Sequence, residues 1–355
     1  MKMTFRWYGV NNDTIELKQI KQIPNVEGIV WALHKRPVGE VWPIEEIDEV
    51  LQHIQDNGFH GEVVESVNVH EDIKLGLDSR ARYIENYKET IRNLGSRGVK
   101  VICYNFMPIF DWTRTDLFYP LEDGSTALFY DHSKITKMTP SELVEEVSKS
   151  SKLTLPGWEK EKMAQLKELF EQYENISEED LWSNLEYFLL EILPVAEEAG
   201  IKMAIHPDDP PFSIFGLPRI MTTEKSVERL LQISPSPSNC LTLCTGSFGA
   251  RSDNDVVALT EKYIKNSPFT HVRNVKHFED GSFVETSHYT TDGSIDIAGV
   301  IEQYADQQYE GYVRPDHGRH LWDEECRAGY GLYDRALGIM YLHGLWDAYS
   351  RKRGN

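Results

Sequence analysis

Cysteine is scarce in this chain, and basic residues are outnumbered. The 355 residues hold four cysteines, Cys103, Cys240, Cys244 and Cys326. They form no C-x-x-C pair and no dense framework, so a disulfide-stapled scaffold is not indicated. A reducing cytoplasm fits this usage better than secretion. Lysine and arginine number 37 against 57 acids, a net charge of −20. Nucleic acids and anionic membranes both reward a basic face, so neither is expected as the main partner. No apolar run approaches membrane-spanning length. The opening MKMTFRWYGVNNDTIEL lacks the continuous apolar stretch of a signal peptide. No G-x-G-x-x-G opens a helix and no Gly-rich phosphate cradle is visible, which argues against an open dinucleotide-binding sheet.

What is present is ordinary globular composition, 40% hydrophobic and 26% charged, with ample length for a large core. Strand-like and helix-like segments alternate. FRWYG (5–9), VEGIVWAL (26–33), EVVESV (62–67) and KVICYNF (100–106) are followed by IKMAIH, NCLTLC, FTHVRN and GYVRPD. Helical patterns lie between them, among them 44–56, 224–231, 253–264 and 294–304, and a last one covers about 333–349. About eight strands alternating with helices imply βαβ units and a TIM (β/α)8 barrel. We expect a single barrel domain over 1–355, interrupted after the fourth strand at about 107–200. That stretch is too long for one ordinary crossover. It reads as a hairpin turning at Asp123-Gly124, a primed-turn dipeptide, then as helices over 158–173 and 177–200. Ser177 and Asp180 resemble a capping box with the acid one carbon short. The hairpin is expected as a lid over the barrel mouth or as a dimerisation arm.

Four consecutive expected strands end in metal-competent side chains: His206, Cys244, His271 and Asp316. A parallel barrel carries its chemistry at that end of its strands. Two imidazoles, a thiolate and a carboxylate converging there would bind a divalent transition metal, and the mixed set reads as catalytic rather than structural. Cys240 begins the run that Cys244 ends, faces the same side, and reads as barrel interior. Any one such residue is more often structural; the regularity of four makes the site.

Next to Asp316 stands His317, in PDHGRH. A carboxylate on the metal with a neighbouring imidazole gives a ligand plus a proton carrier; the plain reading is a surface turn. Tyr330 lies between Gly329 and Gly331, a setting that exposes a side chain, and its phenol could act as acid or base if its pKa were lowered. Tyr333 is expected to be packed. His34, Arg36, Arg273 and Arg319 stand at strand ends where a carboxylate could be held. For any single arginine, an ion pair with one of the many acids is the simpler expectation.

At these residues the chain resembles the D-mannonate dehydratase family. The blocks WALHKRPVGEVW, EVVESVNVHEDIK, VICYNFMPIFDWTRTDL, MAIHPDDPP, LTLCTGS, HVRNVK, RPDHGR and GYGLYDRALG carry the resemblance in family order, essentially end to end. It implies a barrel related to xylose-isomerase-like enzymes and a Mn2+ requirement, with Fe2+ as the other possibility. It implies loss of water from D-mannonate to give 2-keto-3-deoxy-D-gluconate, in bacterial hexuronate catabolism. It assigns the metal to His206, Cys244, His271 and Asp316, and acid–base roles to the surroundings of His317 and Tyr330. A homo-oligomer, a dimer first, is expected. The competing class is a metal-dependent sugar isomerase or epimerase on the same barrel, although those sites use carboxylates more heavily than thiolates. A non-enzymatic acidic scaffold is third.

Overall fold

The computed structural model of the protein describes residues 1–150 and 166–352. Its strands, in chain order, are β1 (Lys2–Arg6), β2 (Gly28–Trp31), β3 (His60–Glu65), β4 (Val101–Tyr104), β5 (Asp116–Pro120), β6 (Thr126–Tyr130), β7 (Lys202–Ile205), β8 (Asn239–Cys244), β9 (Phe269–Val272), β10 (Val275–His277), β11 (Phe283–Glu285) and β12 (Tyr312–Pro315). Eight of them close into a barrel in the order β1-β12-β9-β8-β7-β4-β3-β2. Neighbours are parallel, and β1 shuts the ring on β12 through Lys2↔Tyr312 and Met3↔Val313. The expected TIM barrel is therefore the fold. Among the described residues no helix is long and apolar enough to cross a membrane.

Period-two alternation explains how the strands serve two environments at once. On β8, Leu241 and Leu243 face the helices, while Cys240, Thr242 and Cys244 face the barrel axis. The lower interior is a small apolar plug of Val30, Val63, Val101, Cys103, Ala204, Cys240 and Phe269. Above it, near the C-terminal ends, the inward positions turn polar: Arg6, Glu65, Cys244, His271 and Arg314. Met3, Phe5, Val64, Val272 and Val313 belong instead to the larger core between barrel and helices. One set of strands thus builds both a dry outer core and a polar mouth.

The first strand lies at Lys2–Arg6, three residues earlier than FRWYG. Past the strand end Tyr8 turns to the mouth, while Trp7 packs in the core with its indole N–H donating to Ile15 O at 3.0 Å. The expected helix over 44–56 is Ile44–Asp56. The last helix, Leu332–Lys352, buries a stripe at Asp334, Arg335, Gly338, Ile339 and Leu342.

The stretch after β4 begins with the hairpin β5–β6. It closes over three residues, with Leu121 N donating to Ser125 O at 2.8 Å. Gly124 takes a φ of +85°. A two-residue primed turn was expected; a three-residue loop with glycine in the left-handed position also matches strand twist. The hairpin pairs with a second one, giving an antiparallel sheet β10-β11-β6-β5. Helix Glu178–Glu198 starts at a complete capping box, Ser177 and Asp180 bonding each other's backbone N–H. Of the helix expected over 158–173, Leu166–Tyr173 is helical and the remainder lies outside the described residues.

Candidate metal centre and acid–base site

His206 follows β7, Cys244 ends β8, His271 lies within β9 and Asp316 follows β12. His206 Nδ1 lies 2.7 Å from Pro207 O. A carbonyl only accepts, so Nδ1 carries the proton and Nε2 is left bare. That bare nitrogen faces His271 Nδ1 at 3.1 Å. The far nitrogen of His271, Nε2, faces Glu65 Oε1 at 3.5 Å. Cys244 Sγ accepts from Ser247 Oγ at 3.1 Å and from Ser247 N at 3.4 Å. The donor atoms of His206, Cys244 and His271 lie within 4.8 Å of one another. Two imidazoles and a sulfur at that spacing fit a divalent transition ion with bonds of about 2.0–2.3 Å. The His271–Glu65 contact is the outer carboxylate such ligands commonly carry.

Asp316 adjoins this trio. Its Oδ2 lies 3.5 Å from Cys244 Sγ and its Oδ1 lies 3.9 Å from His271 Nδ1. Arg273 Nε holds one oxygen at 2.8 Å and Arg314 Nη2 the other at 2.9 Å. Burial pushes this carboxyl up, but Arg314, His317, His271 and Arg273 together hold it well below the usual range. A second trio, Glu65, Cys103 and His271, shares the imidazole. Burial, and then Glu65, raise the Cys103 thiol well above its ordinary value. A thiol kept protonated is a poor ligand, so the first trio is the better site.

His317 stands beside Asp316, its Nε2 3.9 Å from Asp316 Oδ1, but its closer partners lie elsewhere. Its Nδ1 lies 2.9 Å from Glu285 Oε1 and its Nε2 lies 3.0 Å from Tyr330 OH. Tyr330 is buried, at 5% exposure, rather than exposed as its glycine neighbours suggest. Gly329 takes a φ of +78°, and a Cβ there would come within 2.7 Å of Leu128 Cδ1. The glycine is thus needed to seat Tyr330 rather than to free it. Burial, and then Tyr8, push the Tyr330 phenol well above its ordinary value. With the protein's own groups alone around it, the phenol keeps its proton at neutral pH. Tyr333 is 42% exposed and leans on Trp322, with ring centroids 5.3 Å apart. It is not packed, because it sits on the outer face of the helix's first turn.

One cavity of about 640 Å³ opens onto His206, Asp316, His317 and Tyr330. Of the four residues expected to hold substrate, His34 and Arg36 line it and Arg273 and Arg319 do not. Arg36 pairs with Glu46 and, at 3.5 Å, with Glu40. Arg273 is buried between Asp209, Glu285 and Asp316 at 2.6–2.8 Å. Arg319 spends its guanidinium on Asp123 and Asp334. Two unremarked residues hold better positions. Arg314 binds Glu65 and Asp316 beside the metal trio. Arg6 lines the cavity, donates to Trp7 O and Val30 O, and has no carboxylate within ion-pair distance among the described residues. Inward alternation on β1, β3 and β12 would have found Arg6, Glu65 and Arg314. Nothing in the barrel pattern signals Glu285.

The family profile described as D-mannonate dehydratase (UxuA) matches residues 1–355. The chain is 66% identical to the mannonate dehydratase of Bacillus subtilis (strain 168), over 98% of this chain and 97% of that one. It is 60% identical to the mannonate dehydratase of Shouchella clausii, covering 98% of each. It superposes on the crystal structure of mannonate dehydratase from Streptococcus suis serotype 2 with a TM-score of 0.91, at 48% identity, covering 100% of this chain and 96% of that one. A xylose isomerase domain protein from Planctomyces limnophilus matches at TM-score 0.56 and 10% identity, covering 99% of each, a likeness of fold alone. By profile, sequence and structure together, this chain belongs to the D-mannonate dehydratase family.

Proposed function

We propose that the chain removes water from D-mannonate to give 2-keto-3-deoxy-D-gluconate, using one divalent ion, Mn2+ first and Fe2+ as its substitute. The observation that carries this reading is the meeting of two units in one mouth. His206, Cys244 and His271 form a mixed nitrogen–sulfur donor set, and the His317–Tyr330 pair carries protons beside it. The relatives' names support the substrate. The ion would be held by His206, Cys244 and His271, with Asp316 as fourth ligand. When bound, it supplies Lewis-acid stabilisation of the negative charge that builds on the substrate carboxylate.

The residues themselves supply the proton traffic. Glu285 accepts from His317 Nδ1, so the Nε2 lone pair faces the Tyr330 hydroxyl at 3.0 Å, and Nε2 acts as the base toward C2 once that hydroxyl turns its proton to the substrate. Tyr330 keeps its proton and gives it to the departing C3 hydroxyl, which leaves as water. The C2–H electron pair becomes the C2=C3 bond as the C3–O bond breaks. His317 then returns its proton to the Tyr330 oxygen, 3.0 Å away. The enol then gives up its C2 hydroxyl proton to solvent and takes one at C3, becoming the keto acid. Arg6 is the cavity arginine best placed for the substrate carboxylate, since its guanidinium meets two carbonyls, His34 and the Tyr8 ring but no carboxylate within ion-pair distance among the described residues. We read 107–200 as an insertion that walls this cavity, because Asp111, Trp112, Leu169 and Gln172 line it. We keep 1–355 as one domain.

Incubating the purified chain with Mn2+ and D-mannonate tests the reading. It predicts a 2-keto-3-deoxy acid. Return of mannonate unchanged, or as an epimer, would replace the dehydratase with the isomerase–epimerase class.

A further inference from the structure

We propose that Glu285 is a positioning residue for His317: its carboxylate keeps the ring proton on Nδ1 and aims Nε2 at Tyr330. The inference rests on the dehydratase reading for its kinetic consequence but on geometry for its content. Glu285 belongs to β11, outside the barrel, yet it is 1% exposed. Both of its oxygens are within reach of His317 Nδ1, at 2.9 and 3.1 Å. Oε1 also receives Arg273 Nη1 at 2.6 Å and Arg114 Nη2 at 2.7 Å. A carboxylate facing two guanidiniums is ionised and can only accept. The hydrogen at His317 Nδ1 therefore points at Glu285, and the lone pair of a neutral ring points at the Tyr330 hydroxyl. Trp112 closes the ring's edge, with centroids 5.3 Å apart. The imidazole is held on three sides.

The supports come from the accessory sheet. Arg114 lies two residues before the hairpin β5–β6, and β6 pairs with β11 through Phe283↔Tyr130 and Val284↔Phe129. Arg114 also reaches Asp209 Oδ1 at 2.8 Å. The barrel thus places His317, while the two hairpins outside it fix which nitrogen carries the proton. A rival account gives Glu285 no part in chemistry beyond neutralising two buried arginines. The two accounts differ in whether the effect of Glu285 passes through His317.

A double-mutant cycle separates them. Metal content, KM and kcat for D-mannonate are measured for the parent, Glu285→Gln, His317→Asn and the double variant. We expect Glu285→Gln to keep its metal and its KM and to lose about 10- to 100-fold in kcat, the scale for removing such an outer partner. In the His317→Asn background the same change should cost nothing further, because the ring it orients is gone. An equal fractional loss in both backgrounds, or a kcat for Glu285→Gln within about twofold of the parent, overturns the proposal. The parent alone offers a second test that does not need any variant to fold. In 15N-labelled protein loaded with diamagnetic Zn2+, His317 should carry a proton on Nδ1; a bare Nδ1 overturns the proposal. Should the parent fail to convert mannonate, the dehydratase reading falls, and the His317 spectrum still decides this inference.

Discussion

Replacing Arg114 by methionine removes the cation that joins the accessory sheet to the site. The Arg114 side chain is fully buried, with Asp209 Oδ1 at 2.8 Å and Glu285 Oε1 at 2.7 Å. Burial pushes both carboxyls up; Arg114 and Arg273, with His317 on Glu285, bring them well below the usual range. Taking one partner from such a buried pair costs about 3–5 kcal/mol. Arg273 still touches both acids, at 2.6 Å each, so the lower end applies. A chain of 355 residues unfolds with an entropy of about 0.75 kcal/mol/K near 60 °C, from about 2.1 cal/mol/K per residue. The midpoint should therefore fall by about 4–7 °C, nearer 4. Scanning calorimetry at fixed metal concentration measures it, since a bound ion shifts the midpoint by itself. Arg229→Met is the control: its pair with Glu179 is exposed, and the midpoint should stay where it is. A midpoint for Arg114→Met within about 1 °C of the parent, or equal shifts in both variants, would refute the reasoning.

Four further outcomes follow from the same geometry. Cys244→Ser should lose most of its metal and turnover, while Cys240→Ser, in the apolar plug, should keep both and lose stability; metal analysis after purification without chelator tells them apart. His317→Asn should retain its ion and slow by about 10²- to 10⁴-fold, whereas Asp316→Asn should lose ion and turnover together; a metal-free His317→Asn would reverse those roles. Tyr330→Phe should fold, bind the ion and turn over at least about a hundredfold more slowly, with Tyr333→Phe near the parent; the opposite pattern in steady-state rates would move the chemistry to the wrong phenol. Arg6→Met should raise KM for D-mannonate about 10- to 100-fold, the scale of one charge-assisted hydrogen bond, with metal content unchanged; an unaltered KM would return the carboxylate to another cation.

The barrel was legible because its strands are short apolar runs set between helical patterns, and because period-two alternation divides their side chains between the barrel interior and the outer core. His206, Cys244, His271 and Asp316 stood out as strand ends, and the mouth of the barrel gathers them. Boundaries were less legible: Trp7 and Tyr8 read as strand but lie past it, Trp7 in the core and Tyr8 at the mouth, since aromatic residues serve a core or a pocket as well as a sheet. The arginines divided by partners that sequence does not show. Arg273 and Arg319 are consumed by acids on other elements, Asp209 and Glu285 for one and Asp123 and Asp334 for the other. Glu285 was invisible because its place depends on the pairing of two hairpins, β6 with β11, that are separated in the chain by three barrel strands, β7, β8 and β9. Its role comes from tertiary contact rather than from a strand-end position.

The central claim is that one ion at His206, Cys244, His271 and Asp316 serves the dehydration. The direct measurement is a titration of chelator-stripped protein with Mn2+, reading bound ion and formation of 2-keto-3-deoxy-D-gluconate in the same samples. The account predicts no turnover in the stripped protein and activity that rises in proportion to occupancy, levelling at one ion per chain. Full turnover in the stripped protein, or a plateau in activity reached before the Cys244 site fills, would contradict it.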